Sequence, residues 1–238
     1  MNRILFEASE IEGGTVGFGG DRARHVVEIL HGEAGQVLKT GQIDGAVGTS
    51  VIESVERRPE GYFITARVNH TDHAPSPWVD LILAPPRPRV LKRLLPQLAS
   101  LGVGRIFLVG ARKVEKDFWG ATILKEEIHR PLLIEGLMQA GTSAMPVVET
   151  RRNFRKFAND ELETLFADVR RRVVAHPYGA ADSAVCSEGR LLLAVGPEGG
   201  WTDDEVSLLE SHNFTRYCLG PRILRTDTAL IALLARFG

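Results

Sequence analysis

Short β-strand patterns fill the first third of the chain. Apolar or β-branched residues alternate or cluster between glycine-rich turns, and this pattern predicts a small β-barrel or sandwich. The predicted strands span residues 37–39, 46–55 and 62–68. Only residues 21–30 have the spacing of a helix. The polar segment 71–77 contains two prolines and is the expected linker to a second domain.

Beyond the linker, apolar strands alternate with helices. Most of these strands are continuous apolar runs, which are typical of a parallel sheet buried on both faces. They are predicted at residues 79–84, 105–109, 171–175, 191–195 and 216–219. Helices are predicted at 89–101, 122–139, 160–166 and 203–211, with a last helix after the final glycine loop. The second domain is therefore expected to be α/β with a mainly parallel sheet.

Two of the predicted helices contain a proline. Pro96 lies inside the first helix and Pro131 inside the second. Proline removes a backbone donor and clashes with the preceding turn, so we expect a kink or a break at each position.

Two glycine–proline loops each follow a predicted strand of the second domain. The first spans residues 196–200 and the second 219–226. Loops at strand ends of open α/β sheets converge on one crevice, so both are candidate ligand-binding loops. Neither the dinucleotide fingerprint nor the P-loop pattern is present, which disfavours a nucleotide phosphate. Glycine turns without a ligand, and surface ion pairs of Arg222 and Arg225, are the alternatives that the loops alone leave open.

The helix after the first loop has an explicit start signal. Residues 202–205, Thr-Asp-Asp-Glu, have the spacing of a capping box. Trp201 and Val206 occupy the positions of a hydrophobic staple. Asp203 and Asp204 place negative charge at the start of the helix, so this helix start is a poor phosphate site.

The charge balance limits the class of partner. The chain has a net charge of −1, which argues against a strongly basic, non-specific nucleic-acid-binding protein. Residues 1–74 hold 7 Lys and Arg against 11 Asp and Glu, so any nucleic-acid face is expected to be local. The candidates are the basic runs 151–156 and 170–172, with an ordinary solvated surface as the alternative for both.

Composition and cysteine usage favour a cytoplasmic globular protein. The chain is 44% hydrophobic and 25% charged, and no segment approaches the roughly 18 apolar residues of a membrane span. Cys186 and Cys218 are far apart without metal-ligand spacing, so we expect two reduced thiols and no metal site.

The two loops carry a family resemblance. GPEGGWTDDEV at residues 196–206 and LGPRILRTDTAL at 219–230, together with His176 and Pro177, resemble the RsmE family of 16S ribosomal RNA uridine-N3 methyltransferases in the SPOUT superfamily. The resemblance implies a PUA-like β-barrel at 1–72 as a candidate RNA-binding domain. It implies a SPOUT-type α/β domain at 73–238 with a C-terminal trefoil knot, S-adenosylmethionine as cofactor, 16S rRNA of the small ribosomal subunit as substrate, and a homodimer.

The same resemblance implies a cofactor site built from the two loops. Its expected residues are His176, Gly196, Pro197, Glu198, Gly199, Gly200, Leu219, Gly220, Ile223, Leu224, Arg225 and Thr226. An acidic helix start suits this cofactor, which carries a positive sulfonium and amino group and no phosphate. The expected reaction is methyl transfer to N3 of a uridine. Arg225 is the first candidate for positioning the base or stabilising its anion, and Glu198 is a candidate for proton transfer.

The sequence departs from the family pattern on the side expected to face the substrate. His31 stands where the family has arginine, Gln97 where it has lysine, and Met138 and Thr142 where charged residues are usual. The alternative function is therefore a diverged paralogue that binds the cofactor or RNA with little turnover, or that methylates another RNA. A flavodoxin-like nucleotide-binding protein is a third interpretation.

Overall fold

In a computed structural model, which describes residues 2–178 and 189–238, the chain divides into two units. The first comprises Met1–Ser76 and Ile134–Met145, and the second comprises Pro77–Leu133 and Pro146–Gly238. Each unit is built on its own six-stranded sheet, so the fold is mixed α/β with two sheets.

The sheet of the first unit is largely antiparallel. Its strands are β1 (Ile4–Phe6), β2 (Ile11–Glu12), β3 (Thr15–Phe18), β4 (Val37–Gln42), β5 (Val47–Arg58) and β6 (Gly61–Asp72), in the order β1-β4-β5-β6-β3-β2. Only β1 and β4 pair in parallel. Inward residues such as Phe6, Phe18 and Ile64 form the buried core. The long β5–β6 hairpin ends with Asp72 paired to Val47, so the predicted linker begins inside a strand.

The helical segment predicted at 21–30 has two parts. An α-helix, α1 (Gly20–Arg24), continues directly into a π-helix over His25–Ile29. The amide of Leu30 donates to the carbonyl of His25 at 3.1 Å, the wider spacing of a π-turn. His31 then takes the left-handed conformation with φ of 53° and ends the segment.

A polar network joins three strands of the first unit. The buried Thr40 hydroxyl lies 2.6 Å from Ser50 Oγ and 2.8 Å from His70 Nε2. The Arg3 guanidinium donates to the carbonyls of Thr40 and Gly48. Burial lowers the pKa of His70, and the positive charge of Arg3 lowers it further, so this network favours the neutral ring.

His70 is expected to make folding sensitive to acid. Its folded pKa lies below the ordinary 6.5, so its contribution to the free energy of unfolding is present above that pH and is lost as pH falls. From about pH 7.5 to about pH 5.5, the melting temperature of the wild type should fall more than that of His70→Gln. The exposed His73→Gln is the control and should behave like the wild type. An equal fall in wild type and His70→Gln would contradict this assignment.

The second unit is an α/β fold on a fully parallel sheet. Its strands are β7 (Val79–Leu83), β8 (Val103–Val109), β9 (Val147–Arg151), β10 (Arg171–Ala175), β11 (Leu191–Val195) and β12 (Thr215–Tyr217). The strand order is β12-β10-β11-β7-β8-β9, and every neighbouring pair is parallel. All residues of β7 and β11 are buried, which explains why both strands are apolar apart from Asp80 in β7.

Helices connect these strands. They are α2 (Pro88–Ser100), α3 (Glu126–Ala140), α4 (Phe154–Asp160), α5 (Leu162–Leu165), α6 (Asp203–Ser211) and α7 (Thr226–Phe237). Neither helix is broken at its proline, because α2 and α3 both continue through Pro96 and Pro131, and a kink at each position stays a prediction. In α2 the hydroxyl of Ser100 donates to the Pro96 carbonyl at 2.6 Å. No described helix is long and apolar enough to cross a membrane.

A buried carboxylate ties β7 to two arginines. Asp80 is completely buried and accepts hydrogen bonds from Arg105 at 2.8 Å and from Arg190 at 2.7 and 2.8 Å. The hydrogen bond to Asp80 raises the pKa of Arg190. A buried charge of this kind is tolerated only because both oxygens are paired.

Loss of the Asp80 charge should therefore destabilise the second unit. We expect Asp80→Ala to lower the free energy of unfolding by about 3 kcal/mol, since it leaves two guanidinium groups without their carboxylate. Glu127→Gln removes one carboxylate of an exposed pair with Lys125 and should cost less than about 1 kcal/mol. Urea unfolding followed by tryptophan fluorescence measures both, and similar costs for the two variants would contradict the role of Asp80.

Candidate active site

Three neighbouring strand ends converge in the second unit. Strands β12, β10 and β11 are adjacent and parallel, so the segments that follow them emerge at the same edge of the sheet. These segments and the first turns of α7 enclose a cavity of about 290 Å³. Its size is near the lower end of the range for small-molecule sites.

The cavity brings together nearly all of the sequence-predicted cofactor residues. Its lining includes His176, Gly196, Pro197, Glu198, Gly199, Gly200, Leu219, Gly220, Ile223, Leu224 and Thr226. Arg225 does not line this cavity. It lines a second cavity, of about 740 Å³, to which Glu198 and Thr226 also contribute. Those two residues therefore border both spaces.

The sequence did not identify several residues that line the two cavities. In the first, Tyr178, Trp201, Tyr217 and Cys218 are added to the lining, beside Arg222 of the second candidate loop. Most of them follow the end of a strand or precede the predicted capping box. This position in the sequence was the signal that could have identified them. In the second cavity, Arg87 and Glu115 are added. Arg87 comes after β7, which is the sheet neighbour of β11, and two prolines immediately precede it.

The three glycines of the first loop stand where a side chain would be crowded or the backbone strained. A Cβ on Gly196 would lie 3.0 Å from the Trp201 nitrogen and 3.2 Å from the Gly200 backbone. Gly200 has φ of +67°, a conformation that favours glycine. The Lys113 ammonium donates to the Gly199 carbonyl at 2.8 Å. The loop therefore presents mainly backbone groups to the cavity.

The capping box predicted at the start of α6 is confirmed. The Thr202 amide donates to Glu205 Oε2 at 2.8 Å, and the Glu205 amide donates to Thr202 Oγ1 at 3.4 Å. The second Glu205 oxygen, Oε1, accepts from the Arg112 amide at 2.8 Å. Glu205 is buried, so its carboxylate fastens the end of the first loop to the segment after β8. Trp201 and Val206, the predicted staple pair, are both buried in the same core cluster.

The second loop gives the cavity an apolar wall. Ile223 is 72% exposed, and Leu219 and Leu224 are each 37% exposed, although all three line the cavity. Apolar side chains left this open are typical of a ligand-binding surface. Gly220 has φ of +129°, which a residue with a side chain rarely adopts.

Glu198 is held by the start of α2. Its carboxylate accepts a hydrogen bond from the Arg87 amide at 3.0 Å, where α2 has no side-chain cap of its own. The Arg87 side chain reaches Glu115 at 3.3 Å. Arg225 is largely exposed and lies 3.5 Å from Asp227. The second cavity thus combines an oriented carboxylate with arginines whose ion pairs are open to solvent.

The arginine runs proposed as nucleic-acid faces are largely engaged in ion pairs or buried. Arg171 and Arg172 lie on β10 and are buried, so residues 170–172 do not form an exposed basic face. Arg172 donates to Glu163 and to the Phe166 carbonyl. Arg151 contacts the carboxylates of two glutamates, and Arg155 pairs with Asp204.

The described residues also limit the metal and cysteine chemistry. Within residues 2–178 and 189–238, no group of three or more His, Cys, Asp or Glu side chains is placed to hold a metal ion. Cys218 is a free thiol at the edge of the cavity, with Sγ 3.2 Å from the Pro177 carbonyl oxygen. Cys186, the other predicted thiol, lies outside the described residues.

Comparison with known proteins identifies the family. A model of the RNA methyltransferase domain matches residues 73–238. The ribosomal RNA small subunit methyltransferase E of Treponema pallidum is 30% identical over 99% of this chain and 90% of its own length. The chain belongs to the RsmE family of RNA methyltransferases. A second family member, methyltransferase E 1 of Borreliella burgdorferi, is 24% identical over 98% of this chain and 95% of its own length.

Solved structures share the RsmE fold. The methyltransferase E of Neisseria gonorrhoeae, bound to S-adenosyl methionine, aligns with a TM-score of 0.77 at 21% identity over 99% of this chain and 96% of its own. The Legionella pneumophila protein Lpg2936, a putative methyltransferase in complex with the same cofactor, aligns with a TM-score of 0.74 at 23% identity over the same shares. The fold of the chain is therefore that of RsmE methyltransferases.

The Glu205 carboxylate provides a stability test of the cavity wall. We expect Glu205→Ala to lower the free energy of unfolding by about 2 kcal/mol, because the amides of Thr202 and Arg112 lose their acceptor. Asp203→Ala, an exposed position in the same turn, should cost less than about 1 kcal/mol. Chemical denaturation measures both, and a Glu205→Ala variant as stable as Asp203→Ala would show that the carboxylate does not hold the loop.

Proposed function

We propose that this RsmE-family protein transfers the methyl group of S-adenosylmethionine to N3 of a uridine in 16S rRNA of the small ribosomal subunit. The observation that carries the proposal is the cavity between the two glycine loops, which gathers nearly every residue that the family resemblance assigns to the cofactor. A cytoplasmic location follows from the proposed rRNA substrate.

The chemistry of the cavity fits this cofactor. Glycines at positions 196, 199 and 200 offer backbone groups at close range, and Leu219, Ile223 and Leu224 offer an apolar surface for an adenine ring. Among the described residues of the lining, Glu198 is the only carboxylate, and it suits a positive sulfonium or amino group. The described part of the lining has one arginine and no lysine, which does not resemble the cationic cluster typical of a polyphosphate site. Bound there, the cofactor supplies an electrophilic methyl group.

We assign the target uracil to the second cavity. Glu198 and Thr226 border both spaces, so a base in the second cavity would lie beside the first. A bond forms between N3 and the methyl carbon while the sulfur–carbon bond breaks, and the N3 proton must leave. The Arg225 guanidinium, whose ion pair with Asp227 is open to solvent, would stabilise the developing negative charge on the uracil oxygens. Glu198, oriented by the Arg87 amide, is the candidate group for proton transfer.

The finer architecture belongs to the same proposal. We infer that residues 1–72, which make up most of the first unit, form a PUA-like β-barrel that binds RNA, and that residues 73–238 form the SPOUT domain with its trefoil knot. We infer that the enzyme is a homodimer. Alignment of nearly the whole chain with the Neisseria gonorrhoeae enzyme supports this architecture. Trefoil knots are rare, so ordinary connection rules would not predict one.

The function is tested by mapping methyl groups on 16S rRNA. Deletion of the gene should remove one N3-methyluridine, detected by mass spectrometry of nuclease fragments, and the wild-type gene should restore it. An unchanged 16S rRNA together with measurable cofactor binding would instead favour the alternative. That alternative is a diverged paralogue with little turnover or with another RNA substrate. Its motivation is the loss of family charges at His31, Gln97, Met138 and Thr142.

Substitution of Gly199 tests the cofactor site. A Cβ there would lie 3.0 Å from the Lys113 side chain, which itself holds the Gly199 carbonyl. We expect Gly199→Val to abolish binding of S-adenosylmethionine in calorimetric titration while the fold is retained. Gly120→Val is the matched control, because a Cβ at Gly120 meets no atom within 4 Å. Unchanged affinity of Gly199→Val would place the cofactor elsewhere.

Substitution of Arg225 separates turnover from cofactor binding. Because Arg225 lines only the second cavity, Arg225→Ala should lower the methylation rate by about 100-fold and leave the affinity for S-adenosylmethionine unchanged. Arg236→Ala removes another exposed arginine, one that lines neither cavity, and should keep the wild-type rate. A loss of cofactor affinity as large as the loss of rate would contradict the assigned role.

A further inference from the structure

The first unit contains a cavity that the proposed methyl transfer does not use. It has a volume of about 610 Å³ and lies between the π-helix, the outer face of β4 and the chain at Gly141. Leu30 and Val37 form apolar walls and are 40% and 58% exposed. A concave space with apolar walls and a few polar groups is the usual form of a site for a small planar group.

Asn2 and Arg3 of this cavity donate to backbone carbonyls, but its other three polar residues keep groups that the fold does not use. His25 Nε2 is buried, yet it makes no hydrogen bond to any described residue. Gln36 accepts from the Glu33 amide through its side-chain oxygen, so its NH₂ group has no bond in the described structure. Lys39 is exposed at the rim and makes no ion pair with a described residue. Two side chains that can recognise a ring edge therefore lie beside Lys39, a cation with no ion pair to a described residue, while the second cation, Arg3, is held by backbone carbonyls.

The backbone is distorted at the same place. His25 is the first residue of the π-helix, and Leu30 closes its first wide turn by donating to the His25 carbonyl at 3.1 Å. A π-turn hydrogen bond is a rare local conformation that is often found at functional sites. Here the π-turn hydrogen bond joins His25, whose Nε2 is unpaired, to Leu30, which forms an apolar wall of the cavity.

The charge of this part of the chain indicates how it would hold RNA. Residues 1–74 carry 7 basic and 11 acidic side chains, so neutralisation of phosphates cannot dominate binding there. Recognition must come from contacts to a base. Proteins read RNA sequence mainly from unstacked bases, whose edges are open to hydrogen bonds.

We propose that this cavity binds one unpaired base of the substrate RNA, with His25 and Gln36 on the base edge, Leu30 and Val37 against its face, and Lys39 near the adjoining phosphate. The site rests on the proposed RNA substrate. It adds a recognition site in the first unit to the methyl-transfer site in the second. The uridine that is methylated is not the base held here.

The test is filter binding of unmethylated 16S rRNA, transcribed in vitro, to the full-length protein at several KCl concentrations. His25→Ala and Leu30→Ser should each weaken binding by at least about fivefold at every salt concentration. Leu30 is 40% exposed, so Leu30→Ser tests the cavity without relying on His25, which is partly buried. Lys39→Ala should instead reduce the slope of log affinity against log salt by about one phosphate contact. The control is His73→Ala, which removes an exposed histidine outside the cavity and should bind like the wild type.

The result separates this inference from the proposed function. Calorimetric titration with S-adenosylmethionine should give wild-type affinity for His25→Ala and Leu30→Ser, because the cofactor cavity contains neither residue. Wild-type binding of 16S rRNA by both variants would overturn the base site and leave the methyltransferase proposal intact. Failure of the wild-type protein itself to bind 16S rRNA would overturn both.

Discussion

The Glu205 carboxylate is the contact on which the active-site cavity most depends. It is buried, and its two oxygens accept from the amides of Thr202 and Arg112. The bond from the Thr202 amide caps the start of α6, and the bond from the Arg112 amide ties that helix start to the segment after β8. The first glycine loop, residues 196–200, lies between β11 and this fixed point. Its backbone is thereby held at the cavity, and the bonds of the Glu198 carboxylate to the Arg87 amide and of Lys113 to the Gly199 carbonyl add to this.

The parallel sheet supplies the rest of the geometry. Because β12, β10 and β11 are neighbours, the segments that follow them meet at one edge of the sheet although they are distant in sequence. Strand order alone brings them together, and no loop needs a special conformation for this. Glu198 then connects the two cavities at that edge, since it lines both and is oriented by the start of α2. The proposed cofactor and target base would therefore share one border. A shift of the first loop is expected to affect both.

Local chemistry explains what could be predicted from the sequence. Buried parallel strands and the capping box at Thr202 have short, self-contained signals, and the structure confirms both. β9 was not predicted, because it is an exposed edge strand with alternating charges. Burial of Arg171 and Arg172 depends on partners distant in sequence, such as the Phe237 carbonyl, and no local pattern reveals it. The π-turn at His25 is likewise hidden, because its residues have ordinary helical spacing.

A crystal structure of the protein with S-adenosylhomocysteine, the demethylated product, tests the central claim most directly. The account predicts that the adenine lies against Leu219, Ile223 and Leu224 and that the loop 196–200 contacts the ligand through backbone groups. The sulfur should face the border at Glu198, toward the second cavity. A ligand bound outside the cavity, or a sulfur directed away from Glu198, would contradict the assignment of the two cavities.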